Sequence, residues 1–323
     1  MTIIFHIDVN SAFLSWSAVE ELKNGADRDL RKINAIVGGD QKSRHGIVLA
    51  KSQSAKRYGI RTGEPVANAF RKCSDLMVVP PDHRRYQEYS KRLMDLLRDY
   101  TPDIEQVSVD ECFMDFTGIA HQFHSPIDGA MEIKNAVRDK FGFTVNVGIS
   151  TNKLLAKMAS DFEKPDKVHT LFPDEIETKM WPLPIRNLLF LGKASEKKLN
   201  EIGIHTIGDL ARANETDIQA LLGSKNGHQL HQYALGIDDS PVKEQADAAK
   251  GFSAETTFNE DITSLEQVFP ILLEQCDIVA TRMRRQQKKC LSVAVTFRTL
   301  DFKKKSHQAT FQSATDVTDE IYK

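Results

Sequence analysis

The chain has 323 residues, a length that points to two to four domains each able to bury its own core, and its 43 Lys and Arg against 45 Asp and Glu with 41% hydrophobic residues are the composition of an ordinary soluble protein. No apolar run approaches the roughly 18 residues of a membrane span, and Met1-Thr-Ile-Ile-Phe-His-Ile-Asp8 lacks a signal peptide's basic and apolar regions, so the cytoplasm is the expected compartment. Cys73, Cys112, Cys276 and Cys290 show no metal-ligand spacing and read as reduced thiols.

Ile3-Ile-Phe-His-Ile7 reads as an apolar strand that places Asp8 at its end. Asn10 or Ser11 then caps a helix with Ala12, Trp16, Val19 and Leu22 on one face and Gly25 after it. The amides from Val9 to Phe13 make a candidate phosphate seat beside Asp8, or an ordinary strand-to-helix connection. Apolar strands at 35–39 and 46–50 flank a turn with Lys42, Arg44 and His45, and a helix at 52–58 carries Lys56 and Arg57 up to Gly59. A strand at 76–79 and a long amphipathic helix from about 84 to 100 follow.

Val107-Ser-Val-Asp-Glu-Cys-Phe-Met-Asp-Phe-Thr117 sets Asp110 and Glu111 between two apolar half-strands. Neighbouring strand side chains point to opposite faces, so the two acids converge on one ligand only at a bend or hairpin tip. Convergent carboxylates repel unless a cation lies between them, and hard oxygen ligands select Mg²⁺ first and Mn²⁺ second. Asp8 is the candidate third carboxylate; a solvated acidic turn is the competing reading.

A helix at 126–141 and a strand at 144–149 complete the pattern of a split β-α-β sheet, with helices on one face and the acids on the other. The helix at 150–160 and its stop, Asp161-Phe-Glu-Lys-Pro165, bring Lys153, Lys157 and Lys164 near that strand. From Trp181 the chain turns to short helices: 194–202, Gly203 as left-handed cap, Ile204 packing back, and Thr206 with Asp209 opening the next. A second helical pair spans 221–234. Such pairs present backbone amides to DNA phosphates, or simply pack. His121 with His124, and His228 with His231, have no evident third ligand and read as structural.

Residues 239–250 form a linker. A last unit follows, with a strand at 252–258, a helix capped by Ser264, and a strand, Leu291 to Arg298, that alternates apolar with small, polar or basic residues. Arg282, Arg284, Arg285, Lys288, Lys289, Arg298, Lys303, Lys304 and Lys305 face only Asp301 as acid in that span, the footprint of a polyanion surface. A helix opened near Thr315 makes the unit look cut short.

The chain resembles the Y-family translesion DNA polymerases, in the DNA polymerase IV branch, over essentially its whole length. Asp8-Val-Asn-Ser-Ala-Phe13 is similar to the first metal motif with its steric-gate aromatic, and Ser108-Val-Asp-Glu111 to the second. Ser52-Gln-Ser-Ala-Lys56 is similar to the triphosphate-gripping fingers segment, Lys164-Pro165 to the palm lysine and proline, and Leu191 to Ala211 to a thumb helix-hairpin-helix.

The resemblance implies an α+β, multidomain right-hand fold: a split β-α-β palm (1–10 and 76–170), small fingers (11–75), a helix-hairpin-helix thumb (171–240), a linker (241–250) and a C-terminally incomplete α/β little finger (251–323). It implies a template-directed polymerase with low fidelity and no proofreading; a catalytically weak DNA-binding paralogue in DNA repair is the alternative. Asp8, Val9, Asp110 and Glu111 would hold two Mg²⁺ ions, with Mn²⁺ able to substitute. Ser11, Ala12, Phe13, Lys56 and Lys164 would meet the triphosphate, with Phe13 as steric gate, and Arg298, Lys303, Lys304 and Lys305 the DNA. Expected partners are primer-template DNA and dNTPs, for a monomer without a membrane. The sliding-clamp peptide of relatives lies past residue 323. Gln53, Lys56 and Asn10 depart from the usual Tyr, Arg and Asp, so a point charge replaces the phosphate fork.

Overall fold

The computed structural model describes residues 1–39, 46–243, 248–301 and 303–323. The expected basic turn with Lys42, Arg44 and His45, and the middle of the expected linker, lie outside them. The chain divides into a larger unit, Met1–Gly39 with Ile47–Ala246, and a smaller one that holds Asp247–Lys323.

In chain order the larger unit contains β1 (Ile4–Val9), α1 (Ala12–Lys23), β2 (Ala35–Gly38), β3 (Val48–Lys51), α2 (Gln53–Arg57), α3 (Val66–Lys72), β4 (Met77–Val79), α4 (His83–Arg98), β5 (Ile104–Gln106), β6 (Glu111–Asp115), α5 (Pro126–Phe141), β7 (Val145–Ser150), α6 (Lys153–Ser160) and β8 (Val168–Thr170). Four short helices end it: α7 (Lys193–Glu201), α8 (Ile207–Arg212), α9 (Glu215–Leu222) and α10 (Ser224–Ala234). The smaller unit has α11 (Leu265–Arg285), β9 (Cys290–Arg298), β10 (Lys304–Thr315) and α12 (Thr318–Tyr322).

β1 is the centre of a five-stranded sheet ordered β5-β6-β1-β7-β8. Alternation decides what each face does. Phe5, Ile7 and Val9 point with Cys112, Met114, Val145, Val147 and Ile149 into one core with Leu93, Leu97, Ile133 and Val137 of α4 and α5. Ile4, His6 and Asp8 take the other face, where α6 packs only over the first part: Ile4 meets Phe113 and Ala156. A Cβ on Gly148 would stand 2.0 Å from the Ala156 carbonyl, so glycine lets α6 lie directly on β7. Asp8 is left at the uncovered end.

Some expectations are corrected. Met77–Val79 pairs in parallel with β2, joining a separate sheet ordered β3-β2-β4. The acidic hairpin forms by pairing of β6 with Ile104–Gln106, while 107–110 is its turn. Residues 252–258 form no strand; Phe252 packs instead against the cluster around Cys276, Ala280 and Met283 of α11. Leu22 is exposed, and Ser264 precedes α11 without a side-chain cap. In β9 only Val293 and Cys290 reach that cluster, so Leu291, Val295 and Phe297 stay exposed. Among the described residues no helix is long and apolar enough to cross a membrane.

Candidate active site

Antiparallel register sets Asp8 opposite Glu111 on β6 and Asn146 on β7, so all three side chains leave one face of the sheet. The carbonyl of Asp110 accepts from the Val9 amide at 3.0 Å, which pins the acidic turn to the end of β1. Ser108 Oγ donates to Asp110 Oδ1 at 2.7 Å and orients that carboxylate. Asp8 and Asp110 line one cavity of about 240 Å³ with Val9, Ser11, Ala12 and Phe13, and with Lys51 and Thr62.

Each lysine near α6 has taken a different acid. Lys153 Nζ meets Glu105 at 2.8 Å, Lys157 Nζ meets Glu111 at 2.5 Å, and Lys164 Nζ meets Asp8 at 2.9 Å. Burial raises the pKa of Asp8 while Lys164 pulls it down. The hydrogen bond from His6, followed by that from Lys157, holds Glu111 down at about 2. Burial in turn keeps His6 below the ordinary imidazole range. Burial pushes Lys164 down, but Asp8 and Asp161 outweigh it and leave the ammonium above its usual value.

Among the described residues no group of three or more His, Cys, Asp or Glu side chains is assembled to hold a metal. Separate ion pairs with Lys164 and Lys157 occupy Asp8 and Glu111. The donor set nonetheless consists of hard oxygens at one end of the central strands, which suits Mg²⁺ or Mn²⁺ and not a soft metal.

The loop that carries Lys164 is anchored by two buried carboxamides. Asn10 Nδ2 donates to Asn146 Oδ1 at 3.0 Å, and Asn10 Oδ1 accepts from Thr144 Oγ1 and the Asp166 amide, both at 2.8 Å. Asn146 Nδ2 donates to the carbonyls of Ser160 and Glu163 at 2.9 and 2.7 Å, and Asn146 Oδ1 accepts from the Lys167 amide at 3.1 Å. Residues 160–167 are thereby held against β7 and against Asn10, just past the end of β1. The expectation that Asn10 or Ser11 caps α1 is corrected: Asn10 serves this network, and Ser11 precedes the helix in the left-handed region, φ 47°, without a side-chain cap.

Phe13 is half-buried, its ring stacked on Tyr86 with centroids 4.5 Å apart and edge-on to His83 at 5.9 Å. The same residue lines the cavity. Lys56 is exposed on α2. In the smaller unit Arg298 is opposite Lys304 on one face of the hairpin, whereas Lys305 is opposite Phe297 on the other. Lys303 pairs with Asp301 at 2.7 Å, and Arg298, Lys304 and Lys305 do not share one face of the hairpin. His228 Nδ1 lies 2.6 Å from Glu215, and His231 Nε2 donates to the Ala213 carbonyl at 3.1 Å, contacts that tie α10 to α9 and to the end of α8.

Sequence reasoning missed Lys51, Thr62 and Asn146. A readable signal existed for Lys51, because it ends an apolar strand in which Val48 and Ala50 are buried and Leu49 and Lys51 share the more open side.

Residues 7–161 match the model of the impB/mucB/samB family and 249–323 that of its C-terminal domain. Residues 190–238 match the thumb domain of DNA polymerase-iota. The chain is 48% identical to DNA polymerase IV of Clostridium acetobutylicum over 99% of its length and 80% of the relative's. It is 39% identical to DNA polymerase IV of Alkaliphilus oremlandii over 99% and 79%. A solved Y-family DNA polymerase chimera of Dbh and Dpo4 superposes with a TM-score of 0.86 at 23% identity, over 99% of this chain and 90% of that one.

Proposed function

The chain belongs to the impB/mucB/samB family, the Y-family DNA polymerases of the DNA polymerase IV branch, and from that premise we propose how its residues carry out nucleotide addition. It is a template-directed DNA polymerase of the translesion type, and such enzymes depend on a divalent metal. Asp8, Asp110, Glu111 and the Val9 carbonyl are the proposed ligands of two Mg²⁺ ions, which Mn²⁺ can replace. When bound, the ions supply activation of the primer 3′-hydroxyl and neutralisation of the leaving pyrophosphate.

The residues do the rest by position and charge. The amides around Ser11 and Ala12 receive phosphate oxygens, Phe13 lies under the sugar, and Lys164 and Lys56 balance charge. In this reading the five-stranded sheet is the palm, the β3-β2-β4 sheet belongs with the fingers, 171–240 is the thumb and the α11 unit the little finger. Primer-template DNA lies along the thumb and the Arg298 face, the enzyme works as a cytoplasmic monomer, and its fidelity is low with no proofreading.

One observation carries the proposal: Asp8, Val9, Asp110 and Phe13 line a single cavity at the open end of the central strand. The test is primer extension by the purified chain with Mg²⁺ on intact and lesion-bearing templates. Extension that requires the metal and continues past a lesion is expected; no extension at any metal concentration overturns it.

A further inference from the structure

The cavity that holds Asp8 and Asp110 contains a cation that is neither Lys56 nor Lys164: Lys51, at the end of β3. Lys51 Nζ donates to Thr62 Oγ1 at 3.1 Å, and Thr62 lines the same cavity. Burial, and after it the positive charge of Lys56, hold Lys51 below its ordinary pKa. Glu64 acts in the opposite sense, yet its carboxylate is already engaged by Lys72 at 2.5 Å and by the Arg61 amide at 3.1 Å. The Lys51 ammonium in the cavity wall is thus repelled by that of Lys56 while the nearby acid is spent on other partners. An anion entering the cavity relieves that repulsion.

We infer that the Lys51 ammonium contacts the triphosphate of the incoming nucleotide. The inference rests on the polymerase reading above and adds a residue to it. A neutral base gives a half-buried ammonium little, whereas a polyphosphate offers charge-assisted hydrogen bonds. Thr62 holds the side chain in place before the nucleotide arrives, so less side-chain freedom is lost on binding.

Lys51→Met keeps the apolar stem and removes the charge. Steady-state single-nucleotide insertion is expected to show KM for each of the four dNTPs raised about tenfold with kcat little changed, the loss of one charge-assisted contact. Lys51→Arg regains most of the affinity. In the reverse reaction, where pyrophosphate carries no base, its KM rises in parallel. A KM rise confined to one base pair, or absent for pyrophosphate, overturns the inference in favour of a base contact. A wild-type chain that extends primers while Lys51→Met matches it in every constant also overturns it and leaves the polymerase reading intact.

Discussion

Lys164 Nζ lies 2.9 Å from Asp8 Oδ1, so the carboxylate that ends the central strand is met by an ammonium 156 residues further along the chain. An ammonium and a divalent ion compete for the same oxygens, so with Asp8 engaged by a metal Lys164 would be free to meet a phosphate. Asp8→Ala and Asp110→Ala are each expected to slow nucleotide addition on the order of a thousandfold or more. Primer-template affinity should stay nearly unchanged, since these acids make no favourable contact with a polyanion. Single-turnover extension and fluorescence anisotropy check both halves; extension within about tenfold of wild type would remove these acids from the chemistry.

The carboxamide pair gives a second prediction. Asn10→Asp places a carboxylate oxygen where Nδ2 now faces Asn146 Oδ1, acceptor against acceptor. The expected cost is about 1–3 kcal/mol in denaturant unfolding, the range for a buried polar group that loses its partner. KM for dNTP should rise as well, because Asn146, which holds the loop of Lys164, loses the partner that orients it. An unfolding midpoint equal to wild type would show that other contacts hold 160–167.

The strand-end positions of Asp8 and Glu111 were legible because these acids stand in strands whose other residues are mostly apolar, and such strands are covered on both sides except where a site needs an opening; His6 on the same face was not singled out. Which lysine meets which acid was not legible. Helical spacing puts Lys157 on a face of α6, but only the register of β6 beside β1 brings Glu111 to it. β5 and β8 have three residues each, too few for an alternation to register. The expected strand at 252–258 had a suitable composition and found no strand to pair with among the described residues. Composition cannot supply a partner.

Thr206 and Asp209 form the anticipated capping box: Asp209 accepts from the Thr206 amide at 2.9 Å and donates its own amide to Thr206 Oγ1 at 3.0 Å. Hydrogen bonds from Thr206, and then from the His205 amide, lower the pKa of Asp209. A lowered folded-state pKa means stability fully present above the unfolded value and lost as pH falls through the folded one. Asp209→Asn should therefore cost a few tenths of a kcal/mol at neutral pH, because the carboxylate is partly exposed and its charge is screened by solvent. The difference from wild type should shrink as the pH is lowered below the ordinary carboxylate range. Thermal melts across that range check it; a pH-independent difference would mean the charge contributes nothing.

The hairpin faces yield a prediction about salt. Arg298 and Lys304 stand opposite each other on the polar face, and Lys305 lies on the face with Phe297. If the polar face follows a DNA backbone, Arg298→Ala with Lys304→Ala should reduce the slope of log affinity against log salt by about two. Lys305→Ala should change it less. Equal effects from all three would mean the DNA does not distinguish the faces.

Phe13 offers the sharpest test of the nucleotide's seat. One side of its ring is stacked on buried Tyr86, and the residue also lines the cavity that holds Asp8. A planar ring backed in this way cannot retreat, so a ribose 2′-hydroxyl above it would have to displace Tyr86 or shift the nucleotide's phosphates from the proposed ligands. A penalty of a few kcal/mol gives discrimination of roughly a hundredfold or more. Phe13→Val shortens the side chain and uncovers part of Tyr86, at an expected cost to stability of about 1–2 kcal/mol. It should accept ribonucleotides readily while keeping much of its deoxynucleotide activity. The measurement is the ratio of kcat/KM for dCTP to that for CTP opposite template guanine in both proteins. A ratio that falls by about two orders of magnitude in the variant assigns the ring to sugar selection. The same ratio in both would leave Phe13 as packing for Tyr86 and His83 alone.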